Sequence, residues 1–193
     1  MLILEDIRFY KATGHFPKDS LREAIFNCEL FEETEGKNVP LSTEAVDVLN
    51  KINNDDYVRN DYESFVKEIQ RNKRSEFLTP YTAEEFRDTG VQTFQVKGYE
   101  IGFALKPIPN GGYDIISVHN NTPVRGIGEA LIDSAIRLGG RTLDHFDGFL
   151  SDFYKKKGFK EIGRYDWNPE YAPKNWNYEK YGTPSLIVRQ LER

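Results

Sequence analysis

The stretch Thr122–Ile132, TPVRGIGEALI, places Gly126 and Gly128 behind Arg125 just where a helix pattern begins. Upstream, YDIISVHN (113–120) reads as a strand rich in β-branched and aromatic residues. Downstream, GEALIDSAIRL (128–138) carries Leu131, Ala135 and Leu138 on one stripe with Ile132 and Ile136 beside it, and it ends at Gly139–Gly140. The glycines admit two readings. They form a tight turn between strand and helix, or they keep the first helical turn bare so that an anion can reach its amides and the positive end of its dipole. Arg125 adds positive charge at that mouth, whereas Glu129 opposes an anion unless its side chain turns away. The spacing lacks the third glycine of a dinucleotide-binding turn and the lysine of a triphosphate-binding loop.

The sequence beyond this helix alternates. RTLDHF (141–146) reads as a strand, and GFLSDFYKKK (148–157) as a helix that turns Phe149, Leu150, Phe153 and Tyr154 inward and closes at Gly158. FKEIGRYDW (159–167) and PSLIVRQL (184–191) are the last two strands. Strand–helix–strand–helix–strand predicts crossovers with parallel pairing. Before the glycine turn, VQTFQV (91–96) and YEIGFALK (99–106) flank a hairpin turn at Lys97–Gly98, and PNGG (109–112) leads into 113–120, giving an antiparallel meander. Upstream of residue 75 the patterns are mostly helical. Ser20 with Glu23 opens SLREAIFNCELFEE, Ser42 or Thr43 caps TEAVDVLNKI, and Asn60 with Glu63 caps NDYESFVKEIQRNK. EFLTP (76–80) is a short candidate strand, and Thr82 with Glu85 caps TAEEFRD. The expected architecture is a mixed α/β (α+β) core at 76–193, a meander followed by β-α-β-α-β-β, with a helical extension or subdomain at 1–75.

Composition narrows the function. The chain has 193 residues, 38% hydrophobic and 13% aromatic, enough to build a core and unlike a disordered segment. Its 26 basic and 31 acidic residues give a net charge of −5, which argues against a broad nucleic-acid footprint. No apolar run is long enough to span a bilayer. The single cysteine, Cys28, excludes an intrachain disulfide framework and suits a reducing cytoplasm. His15, His119 and His145 are scattered, and no metal-site spacing appears.

A second motif lies in DGFLSDFYKKKGF (147–159), where Tyr154 precedes three lysines, Gly158 and Phe159. With the glycine turn in this order, the sequence resembles the GNAT superfamily of acyl-CoA N-acyltransferases across residues 76–193. The runs LDHFDG and FYKKKGF are also similar to phage and prophage proteins. The resemblance implies a GNAT-like fold binding acetyl-CoA or another acyl-CoA and acylating an amine of a small molecule or protein. Val118, Val124, Arg125, Gly126, Ile127, Gly128 and Glu129 would hold the cofactor, the turn amides cradling its pyrophosphate. Tyr154 would protonate the departing thiolate, and the strand ends with His119, Asp144 and His145 would face the transfer centre.

The match departs from the family in places. The Gln/Arg-x-x-Gly-x-Gly/Ala pattern fits in two registers: Pro123 first, with Gly126 and Gly128, or Arg125 first, with Gly128 and Ala130 and a later helix start. In the first register Pro123 removes an N–H donor. Asp147 stands where an asparagine is usual in the family. Other readings stay open beside these. Tyr154 is either the acid or a packed core aromatic, and each histidine is either a base or a satisfied strand-end residue. Asp144 and His145 point to opposite faces of their strand. The aromatic loop WNPEYAPKNWNYEKYG (167–182), with Trp167, Tyr171 and Trp176, either shapes the acceptor site or covers the core. Lys155–Lys157 read as a solvated helix end, with a phosphate contact the lesser alternative. The competing function is a GNAT-like protein without catalysis, acting through protein contacts or as a homodimer by its N-terminal helices.

Overall fold

A computed structural model describes residues 42–72, 81–172 and 176–192. The helix expected at 20–33 and the strand at 76–80 lie outside these residues. In chain order the elements are α1 (Thr43–Asn53), β1 (Tyr57–Val58), α2 (Tyr62–Arg71), α3 (Ala83–Asp88), β2 (Gln92–Val96), β3 (Ile101–Pro107) and β4 (Tyr113–Asn120). They continue with α4 (Gly128–Arg137), β5 (Gly140–Phe146), α5 (Phe149–Lys156), β6 (Phe159–Tyr165), a 3-10 turn (Pro169–Tyr171), α6 (Tyr178–Tyr181) and β7 (Leu186–Leu191).

Local chemistry sets the helix boundaries. Ser42 caps α1 by accepting the Ala45 N–H at 3.1 Å. Thr82 and Glu85 form the reciprocal capping box expected for α3. At α2 the cap is Asp61 rather than Asn60. The Asp61 carboxylate takes the Ser64 N–H at 2.8 Å, while Asn60 lies one residue outside and reaches Glu68 instead.

The strands form one mixed seven-stranded sheet in the order β1-β2-β3-β4-β5-β7-β6. β2 to β4 are antiparallel neighbours, as the meander predicts, and β1, which the sequence pattern does not predict, adds antiparallel to β2. The parallel pairing expected throughout the second half is confined to β4 and β5. β7 inserts between β5 and β6 and runs antiparallel to both, so the β5–α5–β6 crossover joins strands that share a direction but do not touch.

Two apolar layers cover the sheet. On one face Ala45, Val48 and Ile52 of α1 join Leu131, Ile132 and Ala135 of α4 and Leu150 and Tyr154 of α5 against Phe94, Phe103, Ile115, Val118 and Leu143. On the other, Phe65, Val66 and Ile69 of α2 pack with Phe86 of α3 against Ala104 and Ile116. Residues on both sides of position 75 therefore contribute to each layer. Among the described residues no helix is long and apolar enough to cross a membrane.

Candidate functional site

β4 and β5 are in register only at their first residues, Tyr113↔Gly140 and Asp114↔Thr142. Beyond that point no further pair joins them, although β4 runs on to Asn120 and β5 to Phe146. The two strands thus part toward their C-terminal ends, the edge where open α/β sheets receive ligands. The turn to α4 lies at this edge.

That turn is built from inside. Val124 and Ile127 bury their side chains, at 3% and 1% exposure, while Arg125 and Gly126 stay outside. The Asn120 side-chain amide donates to the Val124 carbonyl at 2.7 Å, and its Oδ1 accepts the Thr122 N–H at 2.9 Å. The Val124 N–H in turn donates to the Thr122 hydroxyl at 3.2 Å, so Val124 serves the turn internally rather than facing outward. Gly126 adopts φ 76°, a left-handed conformation that a Cβ disfavours. α4 then starts at Gly128, which agrees with the register of Gly126 and Gly128 and not with a later helix start.

The residue before the helix, Ile127, has no polar atom in its side chain, and no side-chain cap bond closes the first turn. Glu129 does turn away. Its carboxylate meets Lys157 Nζ at 2.6 Å, and the same ammonium takes both Asp133 oxygens at 2.8 Å. Lys157 is therefore a half-buried tie between α4 and the end of α5, not a solvated helix end; Lys155 and Lys156 do remain exposed. Asp147 is held by Arg164 and by the Ser151 hydroxyl, which keep its carboxyl below the usual range.

The strand-end histidines are separated by a bulge. In β3–β4, Gly102 faces His119 but Ala104 faces Ile116, so β4 carries one extra residue around Ser117 and Val118. Ser117 adopts φ 51° there. Ile115 and Val118 consequently share the α4–α5 face, and His119 is turned to the α2 face, its ring edge-on to Phe65 at 5.1 Å. His145 lies on the α4–α5 face instead, 5.1 Å from the ring of Tyr154. Strand alternation places Asp144, 3% exposed, on the side of His119.

His145 has both ring nitrogens engaged. Its Nδ1–H donates to the Phe146 carbonyl at 2.7 Å, and Nε2 accepts the Arg189 Nε–H at 2.7 Å. Of the two readings the sequence leaves open, a base or a satisfied strand-end residue, these bonds fit the second: His145 is a buried neutral acceptor for an arginine. Burial first, and the Arg189 charge in addition, push its pKa down from 6.5 to about 4. The unfolded chain takes up this proton near pH 6.5 and the folded one only near pH 4. The associated stability is complete above pH 6.5 and is lost as pH falls toward 4, amounting to about 3 kcal/mol. His145→Gln, whose amide oxygen can still accept from Arg189, is expected to flatten the fall in urea midpoint between pH 7.5 and 4.5. An unchanged slope would rule this out.

Tyr154 is fully buried, its ring 5.9 Å from Phe159 and 5.2 Å from Phe153. It packs on β5 next to the edge where the strands part. The aromatic loop folds over the other face of that edge. Phe146 contacts Trp167 at 5.7 Å and Trp176 at 5.6 Å, and the two indoles lie 4.5 Å apart. Trp176, 8% exposed, donates its indole N–H to the Gly182 carbonyl at 2.9 Å and anchors the loop. Tyr171 closes the 3-10 turn, and its side chain is outside those described. Glu68 on α2, which the sequence reading passed over, is buried beside His119, its Oε2 3.5 Å from Nε2. Gly102, a glycine inside a strand pattern, was the signal for this close packing.

No family model and no curated protein matches the chain. Solved structures do. An acetyltransferase from Bacillus subtilis in complex with CoA is 17% identical over 57% of this chain and 81% of its own, with a TM-score of 0.41. A GNAT-family acetyltransferase from Staphylococcus aureus is 18% identical over 70% of this chain and 98% of its own, with a TM-score of 0.38. N-acetylglutamate synthase from Neisseria gonorrhoeae, complexed with CoA and N-acetyl-glutamate, is 17% identical over 68% of this chain and 32% of its own, with a TM-score of 0.33.

Proposed function

We propose that the protein is a GNAT-type acyltransferase that moves an acyl group, acetyl in the simplest case, from CoA to an amine. The observation that carries this reading is that the uncapped start of α4 lies at the edge where β4 and β5 part. An anion-binding helix end and an opening for a narrow chain then fall together.

The residues fit a pyrophosphate-bearing cofactor. Amides from Arg125 to Glu129 would supply donors, the exposed Gly126 leaves the approach free of a Cβ, and Arg125 supplies an exposed charge. Lys157 removes the one carboxylate that would repel phosphate. Acyl-CoA supplies a thioester, whose C–S bond would break as the neutral amine nitrogen forms the new C–N bond and releases its proton to solvent water. The Val118 N–H, at the bulge, stabilises the carbonyl oxygen as charge develops there. Tyr154 gives its phenolic proton to the leaving sulfur. The amine enters from the face lined by Asp144, Phe146 and Trp167, with Trp176 holding the loop in place. His119 lies on the α2 face of the bulged strand, between the Ser117 carbonyl and Glu68.

Calorimetric titration with CoA and acetyl-CoA tests the reading. Saturable binding of both, with acetyl-CoA consumed once an amine is added, is the expected result. Absence of binding would remove it and leave the non-catalytic, partner-binding alternative.

A further inference from the structure

Glu68 interrupts an otherwise apolar surface of α2, between Phe65, Val66 and Ile69, and is only 7% exposed. Burying a carboxylate there is costly unless it is partnered. Its Oε1 accepts from Gln95 at 2.8 Å and from Asn60 at 3.4 Å. Its Oε2 is directed at His119 Nε2, 3.5 Å away, and neither of these two atoms has a hydrogen bond of normal geometry. The other nitrogen of His119, Nδ1, lies 3.1 Å from the Ser117 carbonyl oxygen. A carbonyl only accepts, so Nδ1 carries a hydrogen. Nε2 and the carboxylate then attract each other only with a proton between them. The ring packs closely between its neighbours. A Cβ on Gly102 would come within 3.2 Å of its Cε1, and Phe65 meets the ring edge-on at 5.1 Å.

The Ser117 carbonyl and the Val118 N–H belong to one planar, trans peptide unit, so holding the oxygen fixes the direction of the N–H. Ser117 keeps a positive φ without being glycine, a strained state that its surroundings must maintain. We infer that Glu68 and His119 are positioning residues that hold the Ser117–Val118 peptide so that its N–H meets the carbonyl oxygen of the acyl donor. This rests on the acyl-transfer reading above. Neither side chain touches the substrate; Glu68 sets His119, and His119 sets the peptide.

The test combines steady-state kinetics with amide NMR of the protein free of ligand. Glu68→Ala is expected to lower kcat about 100-fold, the scale of one oxyanion donor, while the KM for acetyl-CoA stays within about threefold. Glu68→Gln, whose amide can donate to Nε2, is expected to restore kcat to within about fivefold of wild type. Without ligand, the Val118 amide resonance should shift in Glu68→Ala and stay near its wild-type position in Glu68→Gln. Should Glu68→Ala fail to fold, Glu68→Met fills the same volume and carries the same expectations. Unchanged kcat, or an unmoved Val118 resonance, overturns the inference and leaves the acyltransferase reading standing. A wild-type protein that neither binds nor consumes acetyl-CoA overturns both.

Discussion

Tyr154→Phe is expected to lower turnover with acetyl-CoA by about 100- to 1000-fold while leaving CoA affinity within about threefold, because it removes the proposed general acid. The substitution removes one oxygen from a ring that is fully buried against His145, Phe153 and Phe159. The packing ring remains, so the fold should persist, and a far-UV spectrum like that of the wild type would confirm it. Phenylalanine cannot protonate a thiolate, so the effect should concentrate in kcat. Replacing the leaving group by a more acidic thiol should narrow the gap between the two proteins. Equal turnover in wild type and variant would reduce Tyr154 to a core aromatic, the other reading its sequence position allowed.

The second large effect concerns stability. Phe103→Ala is expected to cost about 3–5 kcal/mol, read as a lower urea midpoint with little change in slope. Phe103 is fully buried at the centre of β3, stacked on Phe94 with ring centroids 5.2 Å apart and met edge-on by Tyr57 at 5.6 Å. Truncation opens a cavity under three strands and removes two ring contacts, each worth about 1 kcal/mol beyond its area. The hydroxyl of Tyr57 donates to Ser134 of α4 at 2.7 Å, so the cavity also loosens the helix that begins at the glycine turn. A loss below about 1 kcal/mol would mean that the neighbours collapse into the space.

Much of this architecture could be read from local chemistry. The strand at 113–120, the start of α4 at Gly128 and the box of Thr82 with Glu85 are each decided by residues within a few positions of one another. The features that escaped depend on distant partners. The insertion of β7 between β5 and β6 is a matter of pairing over long separations, which neither strand's own pattern encodes. The bulge in β4 is carried by Ser117 and Val118 without a glycine to announce it, and it reverses the face on which His119 lies. Glu68 reads as an ordinary polar position of an amphipathic helix until Gln95 and His119, far along the chain, are brought against it. His145 stays between a base and a satisfied strand-end residue in the sequence because its partner, Arg189, lies 44 residues away.

The placement of β7 bears on how the chain assembles during synthesis. β6 has β7 as its neighbour in the sheet, and β5 pairs with β4 over only two positions. On the ribosome the meander of β2, β3 and β4 can close early, since its contacts are local. β5 and β6 must wait, their edges open, until Leu186–Leu191 emerges and slides between them. A strand made after both of its neighbours is thus the wedge that joins them, and the nascent chain is most vulnerable to mispairing in the interval before it arrives.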